Sequence, residues 1–271
     1  RYTNRTGGPL DRVVFSAYAN MFRRATALMY ETDVWQQVFP AGNAPGGIEL
    51  SSVLVDGEAA DWGMQGEEEL FLRVACDLAD GQMCEFTFEY TLLLSENGAS
   101  LGVGDTDWRL RGFYLQPLKY EYGEIVAPEP LQHANYVYAD RADYTLTVTL
   151  PERCLLAGPG EVTSSDNGDG TRTWTLAAKN IRELCLSFGM RWREYSAETS
   201  SGTRLRLLAN ARGVQKTLDT ALNALEAYES WFGPLAWDVT IAQSDYALEA
   251  LSLPGLIWAD ADALNDAMAL R

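Results

Sequence analysis

The feature that most constrains this chain is a segment in which apolar and polar residues strictly alternate. Its apolar positions are Cys84, Phe86, Phe88 and Tyr90, each separated from the next by a polar residue. A period of two places the apolar set on one face of an extended strand. Such a strand needs a second layer to cover that face, so the chain is expected to contain a sheet with one buried and one wet face.

Further strands are predicted at short intervals, separated by Gly, Asn and Asp residues. They are Val13–Tyr18, Ile48–Val55, Leu70–Cys76, Cys84–Leu94, Tyr144–Leu150 and Thr171–Leu176. Asp56-Gly57 predicts a hairpin turn, and Asn167–Gly170 predicts another. We also expect Asp80-Gly81 to fold the segments on either side of it against each other. This pattern indicates a mainly β fold, a twisted β-sandwich or a pair of large twisted sheets.

The composition changes at Ser196–Thr203, where Ser, Thr, Gly and Glu predominate. Such a stretch is typical of a linker. We therefore predict a domain boundary near residue 200, with an N-terminal β domain over residues 1–198. Residues 203–271 are predicted to be the beginning of an α/β domain.

The predicted α/β segment begins with a strand, Arg204–Leu208, and continues with a helix. Helical spacing places five apolar residues along one face of that helix, and Gly233-Pro234 is the expected stop signal. The five are Val214, Leu218, Leu222, Leu225 and Phe232. A strand over Asp238–Ala242 follows, and Asp262–Leu270 is predicted as a helix that the end of the chain interrupts.

The formal net charge of −17 argues against nucleic acid as a partner, because phosphate binding depends on clusters of Lys and Arg. It indicates a bacterial protein with an acidic surface. No stretch approaches the roughly 20 apolar residues that a membrane helix needs. The chain begins without Met or a signal sequence, so we expect it to be a fragment of a longer protein.

The four cysteines show no C-x-x-C spacing, which makes a structural zinc site an unfavourable interpretation. Cys154 and Cys185 lie in apolar runs and are predicted to be buried thiols. Cys76 and Cys84 flank a predicted turn, so either a disulfide across a hairpin or two free thiols fit the pattern.

Other groups of residues have a structural explanation. The eight tryptophans are scattered, which favours packing over carbohydrate binding. Asp166–Asp169 and the pair Asp105 and Asp107 do not follow a calcium-loop spacing, so we interpret them as solvated turns.

Several segments resemble the aminopeptidase N-like zinc metallopeptidase family (gluzincins), and they occur in the family's order. The segments are Tyr2–Asn4, Phe15–Phe22, Gly112–Pro117, Ala142–Pro151, Arg182–Phe188, Ala224–Pro234 and Pro254–Leu256. Each is short, but together they extend over nearly the whole chain. The resemblance implies an N-terminal β saddle domain followed by the start of a thermolysin-like catalytic domain.

In that family two histidines of an H-E-x-x-H helix and a later Glu hold the zinc ion. This chain has a single histidine, His133, which cannot form such a site alone and is interpreted as a surface or strand-edge residue. The resemblance therefore implies no catalytic residue, no metal ligand and no cofactor in this chain. Zinc is expected only in an intact, active parent.

The family also has a loop, G-x-M-E-N, whose Glu binds the amino group of the peptide substrate. Alignment on Pro254–Leu256 places Ser252 at the Glu position, and the loop glycines are absent. A hydroxyl cannot replace the ion pair between a carboxylate and an ammonium group. Glu249 could take that role if the loop were rebuilt, so Glu249 and Ser252 are the candidate substrate-binding residues.

Three interpretations follow. The chain is a fragment of a peptidase, non-catalytic by itself, whose expected partners are the peptide substrate and the downstream catalytic domain. Alternatively, it belongs to a degenerate relative that acts in binding or assembly. A stand-alone β-rich binding module is the third, but the helix and strands after residue 204 argue against it. Since such relatives occur inside and outside the cell, localisation is open, and an extracellular or cell-surface location is the preferred expectation.

Overall fold

A computed structural model gives the architecture of the chain. The described residues are 1–23, 36–40, 42, 45–66, 69–127, 138–210 and 213–265. They form two compact units, the first comprising Arg1–Glu96 and Gly112–Asp140, and the second comprising Asn97–Arg111 and Arg141–Arg271.

The described part of the first unit consists mainly of antiparallel strands and includes a short 3-10 helix, Tyr18–Phe22. Its strands are β1 (Tyr2–Thr3), β2 (Leu10–Ser16), β3 (Gly47–Val55), β4 (Glu58–Ala59), β5 (Trp62–Gln65), β6 (Phe71–Leu78), β7 (Met83–Cys84), β8 (Phe86–Leu93), β11 (Gln116–Pro117), β12 (Lys119–Glu121) and β13 (Glu124–Val126). They form sheets in the orders β11-β2-β6-β5, β4-β3-β8, β1-β7 and β12-β13.

Two of these sheets face each other through aromatic side chains. The ring of Phe15 on β2 lies 5.0 Å from that of Phe86 and 4.9 Å from that of Phe88, both on β8, in edge-to-face geometry. Along β8 half-buried and exposed residues alternate without exception. This confirms the predicted alternation, because Phe86, Phe88 and Tyr90 are half-buried and the residues between them are exposed to solvent. Aromatic pairs of this kind stabilise a core by about 0.5–1.5 kcal/mol beyond their area.

The expected hairpin around Asp80-Gly81 is not formed. β6 pairs with β2 and β5, whereas β7 pairs with β1 and β8 pairs with β3. Cys76 and Cys84 are free thiols, so the disulfide interpretation is wrong. Burial, with the nearby carboxylate of Asp56 and the thiol of Cys76, raises the pKa of Cys84 to about 11. The hairpin at Asp56-Gly57 is confirmed, with positive φ at both residues, as a type I′ turn requires.

The residues of the second unit that the structure describes form three sheets and two helices. Its elements are β9 (Leu101–Val103), β10 (Trp108–Leu110), β14 (Ala142–Pro151), β15 (Leu155–Ala157), β16 (Glu161–Asp166), β17 (Thr171–Ile181), β18 (Leu186–Gly189), β19 (Arg193–Glu198), β20 (Arg204–Ala209), α1 (Val214–Phe232), β21 (Val239–Gln243), β22 (Ala250–Leu253), β23 (Leu256–Ala259) and α2 (Ala261–Asn265). The sheet orders are β15-β18-β10-β9, β14-β17-β16 and β19-β20-β21-β23-β22. The predicted turn Asn167–Gly170 joins β16 to β17.

The five-stranded sheet is mixed. β20, β21 and β23 run parallel, whereas β19 and β22 are antiparallel edge strands. One face packs on α1 and α2 through Leu207, Ile241 and Leu218. The other face packs through Leu208, Trp258 and Cys185, and both this cysteine and Cys154 are buried as predicted. Because this sheet is covered on both faces, nearly all residues of β20 and β21 are buried.

Helix α1 begins and ends where the sequence predicts. Gly213 precedes it with φ 77°, and Gly233 caps its end with its N–H bound to the carbonyl of Glu229. Val214, Leu218 and Leu225 are buried against the sheet, and burying one such side chain contributes about 1.5–3 kcal/mol. Phe232 does not share this face as predicted, because it is 83% exposed in the last turn. The predicted helix Asp262–Leu270 corresponds to α2 only in part, since residues 266–271 lie outside the described residues.

The predicted linker is a hairpin turn. β19 and β20 pair from Arg193 with Ala209 to Glu198 with Arg204, and Thr199–Thr203 closes the turn. Both strands belong to the second compact unit. The prediction that Ser196–Thr203 is a linker is wrong, because these residues form part of a hairpin. The division into domains at residues 198 and 203 stays a prediction.

The chain is thus mainly β with an α/β segment, as the alternating patterns predicted. No described helix combines the length and the apolarity needed to cross a membrane.

Glu229 connects the end of α1 to the hairpin turn. Its carboxylate accepts hydrogen bonds from the hydroxyls of Ser201, at 2.6 Å, and Thr203. These bonds lower the pKa of Glu229 to about 2. Because the folded pKa lies below the unfolded value, the stabilisation is present above about pH 4.5 and is lost as the pH falls towards 2.

We therefore expect Glu229→Gln to lower the urea midpoint at pH 7, with a difference from wild type that shrinks between pH 4.5 and pH 2. Glu152→Gln, which removes a carboxylate from an exposed turn, controls for the change in net charge. A difference that stays constant over this pH range would contradict the assignment.

Candidate functional site

The candidate site is built on β22, the antiparallel strand at the edge of the mixed sheet. β22 pairs with β23 from Ala250 with Ala259 to Leu253 with Leu256. Pro254 and Gly255 form the turn between them, and Gly255 has φ 68°. Proline followed by a residue of positive φ is the pattern of a type II turn, so the resemblance motif Pro254–Leu256 has a structural reason.

The side chains of β22 alternate between the two faces of the sheet. Leu251 and Leu253 pack into the cluster around Trp258. Ala250 and Ser252 are exposed and lie opposite Ala259 and Ile257, which belong to the face that α1 and α2 cover. The helix-side face of this edge strand is therefore open to solvent in the described part of the chain.

Glu249 stands immediately before β22 in a strained conformation. Its φ is 69°, in the left-handed region that residues with a side chain avoid. Its carbonyl accepts a hydrogen bond from the N–H of Asp260 at 2.8 Å, and its side chain is exposed. Among the residues of the segment Glu249–Leu253, Glu249 is the only acid, so it is the only one that could pair with an ammonium group.

The residues that precede this segment, Ser244 and Asp245, contact a buried charge network that sequence reasoning missed. Asp107 and Arg109, both inaccessible to solvent, form an ion pair. Asp107 also accepts hydrogen bonds from the hydroxyl of Ser244 at 2.8 Å and from the N–H of Asp245 at 3.3 Å. The interpretation of Asp107 as a solvated turn residue is wrong, although Asp105 is exposed as predicted. Ser244 and Asp245 lie too far from Asp107 along the chain for a local pattern to reveal these contacts.

The cation of the network, Arg109, has further hydrogen-bond partners as well. The guanidinium of Arg109 donates to the carbonyl of Ala99 at 2.8 Å and to the carbonyl of Asn97. Burial raises the pKa of Asp107 and lowers the pKa of Arg109, and the attraction between the two charges opposes both shifts. Since desolvation works against both charges, the pair depends on the full set of hydrogen bonds.

A separate open groove, with a volume of about 350 Å³, lies in the same unit. Ala177, Ala178 and Ile181 contribute apolar lining, Trp237 an aromatic side chain, and Lys179 a positive charge. Its other lining residues are Pro159, Gly160, Glu161, Ala236 and Asp238. No sequence pattern predicted this groove, because its lining comes from three separate segments.

The remaining candidate features are structural or lie outside the described residues. Trp174, Trp192 and Trp258 are buried, in agreement with packing, and Trp231 is exposed. His133 lies outside the described residues. The described residues contain no group of three His, Cys, Asp or Glu side chains placed to hold a metal ion, so they do not fit a zinc site. The expectation that this chain binds no zinc stays a prediction.

The sequence matches no protein-family model and no curated protein. The structure, however, is similar to solved structures of the M1 zinc metallopeptidase from Deinococcus radiodurans. One superposes with a TM-score of 0.62 and 17% identity, covering 94% of this chain and 53% of the other. A mutant of that enzyme gives a TM-score of 0.63 and 17% identity, covering 97% and 56%.

A third similar structure is that mutant bound to a Tyr-Ser-Ala substrate, with a TM-score of 0.61 and 16% identity, covering 94% and 54%. At this level of identity the likeness shows the fold. The chain spans about half the length of these peptidases, so what they do as whole proteins does not transfer to it directly.

The buried network yields a test of stability. Arg109→Met leaves Asp107 buried without its partner, and we expect a loss of about 3–5 kcal/mol in the free energy of unfolding. The control is Arg12→Met, which breaks the exposed pair with Asp11 and should cost no more than about 1 kcal/mol. Urea denaturation at pH 7 measures both. Equal losses in the two variants would show that the buried pair has no special role.

Proposed function

We propose that this chain is the N-terminal part of a protein of the aminopeptidase N-like zinc metallopeptidase family and that it supplies one wall of a peptide-binding cleft. The observation that carries the proposal is the edge strand β22, with Glu249 at its start, in a fold similar to that of an M1 zinc metallopeptidase. The ordered sequence motifs support the same assignment independently.

The edge strand suits a peptide main chain. β22 is the last strand of its sheet, so one of its edges pairs with no other described strand. An extended peptide can add to such an edge through main-chain hydrogen bonds, while pockets for alternate side chains give specificity. In this arrangement the carboxylate of Glu249 pairs with the amino group of the peptide, and the hydroxyl of Ser252 lies on the exposed face beside it.

By itself the chain is proposed to be non-catalytic. Its described residues offer no set of ligands for zinc, so the metal and its general base would have to come from another part of the protein. The exposed helix-side face of β22, with Ala250 and Ser252, is where a further layer of a catalytic domain would pack. The proposed partners are therefore a peptide substrate and that domain.

A degenerate relative that binds peptides without cleaving them is the second candidate. The observation that favours it is Ser252, which stands where the family has the substrate-binding Glu. Zinc content and hydrolysis of a Tyr-Ser-Ala peptide, measured on the full-length protein and on this chain, separate the two. Stoichiometric zinc and hydrolysis in the full-length protein alone support the enzyme, whereas peptide binding without zinc supports the degenerate relative.

The role of Glu249 predicts selectivity for a free amino group. We expect the chain to bind Tyr-Ser-Ala about 10- to 100-fold more tightly than its N-acetylated form, because a hydrogen bond between charged groups is worth about 1.5–3 kcal/mol. Glu249→Gln should abolish most of this preference in calorimetric titrations at pH 7. Glu152→Gln is the control for net charge. Equal affinities of wild type for the two peptides would contradict the proposal.

A further inference from the structure

We propose that Asp107 and the segment around it act as positioning residues for Glu249. The segment 97–109, here called the clasp, holds Ser244–Ala247 and thereby fixes where β22 begins. This inference rests on the proposed function of Glu249 as the group that receives the peptide amine. It adds a set of residues, distant in sequence and without contact to the peptide, that determine how well Glu249 can do so.

Hydrogen bonds join both ends of the clasp to Ser244–Ala247. The carboxylate of Asp107 receives the Ser244 hydroxyl and the Asp245 N–H. In return, the carboxylate of Asp245 accepts the N–H of Thr106 at 2.6 Å. At the far end the N–H of Ala247 donates to the carbonyl of Gly98 at 2.8 Å. Side chain and main chain are therefore anchored on both sides of Tyr246.

Two glycines allow the clasp to approach this closely. A Cβ atom at Gly104 would lie 2.6 Å from the Cβ atom of Asp245, and one at Gly98 would lie 2.7 Å from the Cβ atom of Ala247. Contacts this short leave no room for a side chain at either position. The fit indicates that the two backbone segments have a single packed arrangement, since interiors of this density tolerate few alternatives.

The strain at Glu249 needs such support. A left-handed conformation at a residue with a side chain is unfavourable and persists only where the surroundings determine it. On its C-terminal side the Glu249 carbonyl is held by Asp260, and on its N-terminal side Ala247 is bonded to Gly98 of the clasp. Loosening the clasp removes one of the two supports, so the carboxylate would sample more positions relative to β22.

The charges of the clasp give this support its rigidity. Asp107 is held from the other side by Arg109, whose guanidinium also binds the carbonyls of Ala99 and Asn97. Just beyond the clasp, Arg111 forms a bidentate ion pair with Glu183, with hydrogen bonds of 2.9 and 3.1 Å. Asp107 is therefore held by contacts other than the one it makes with Ser244.

The test uses the ratio of affinities for Tyr-Ser-Ala and its N-acetylated form, measured by calorimetry on the full chain. Ser244→Ala removes the hydroxyl that binds Asp107 but leaves the ion pair intact. We expect it to lower the ratio at least about five-fold, and we expect Asp245→Ala to do the same. Ser244→Thr keeps a hydroxyl and should restore the ratio, whereas the affinity for the acetylated peptide should change little throughout.

A purely structural role would not move this ratio. Leu218→Val, which weakens the core under α1, is the control for lost stability and should leave the ratio at its wild-type value. If Ser244→Ala and Asp245→Ala leave the ratio unchanged while Glu249→Gln lowers it, the positioning role is overturned and the proposed function stands. If Glu249→Gln also leaves the ratio unchanged, both the proposed function and the positioning role are wrong. A ratio that falls equally in Leu218→Val would likewise overturn the positioning role.

Discussion

The ion pair between Asp107 and Arg109 is bound to the main chain that precedes the candidate site, through Ser244 and Asp245. Two charges without contact to water are a liability unless each is matched by its partner and by hydrogen bonds. Here Arg109 donates to the carbonyls of Ala99 and Asn97, and Asp107 accepts from Ser244, which directly follows β21. The need to satisfy a buried charge thus fixes the main chain that leads into the edge strand.

The mixed sheet supplies the rest of the geometry. Parallel strands β20, β21 and β23 are covered on both faces and form a rigid centre. An antiparallel strand at the edge of such a sheet keeps one side of its main chain free, which is a hazard for aggregation and at the same time a ready template for an extended peptide. Edge strand β22 is short, and the exposed side chains on it are Ala250 and Ser252.

The sequence predicted those parts of the fold that local patterns determine. The alternation before Tyr90 and the helical spacing from Val214 to Leu225 each reflect burial on one face, and both were confirmed. The pairing of β6 and β8 was wrong, because the partner of a strand depends on long-range packing. The linker over Ser196–Thr203 was wrong for a related reason, since turn residues mark a hairpin as readily as a domain boundary.

The candidate site was predictable only in part. Glu249 and Ser252 were found by the resemblance, and the structure places them at one exposed edge strand, while their role stays a proposal. The clasp could not be found from the sequence, because Asp107 resembles any acidic turn residue until Ser244 is seen beside it. Close approaches such as that of Gly104 to Asp245 likewise leave no mark in a single sequence.

Amide hydrogen exchange of the edge strand tests the central claim most directly. The chain is compared with and without saturating Tyr-Ser-Ala. We expect amides within Ala250–Leu253 to exchange more slowly with the peptide present, while those of α1 are unchanged. Unchanged exchange at β22, or protection confined to the groove around Trp237, would contradict the account.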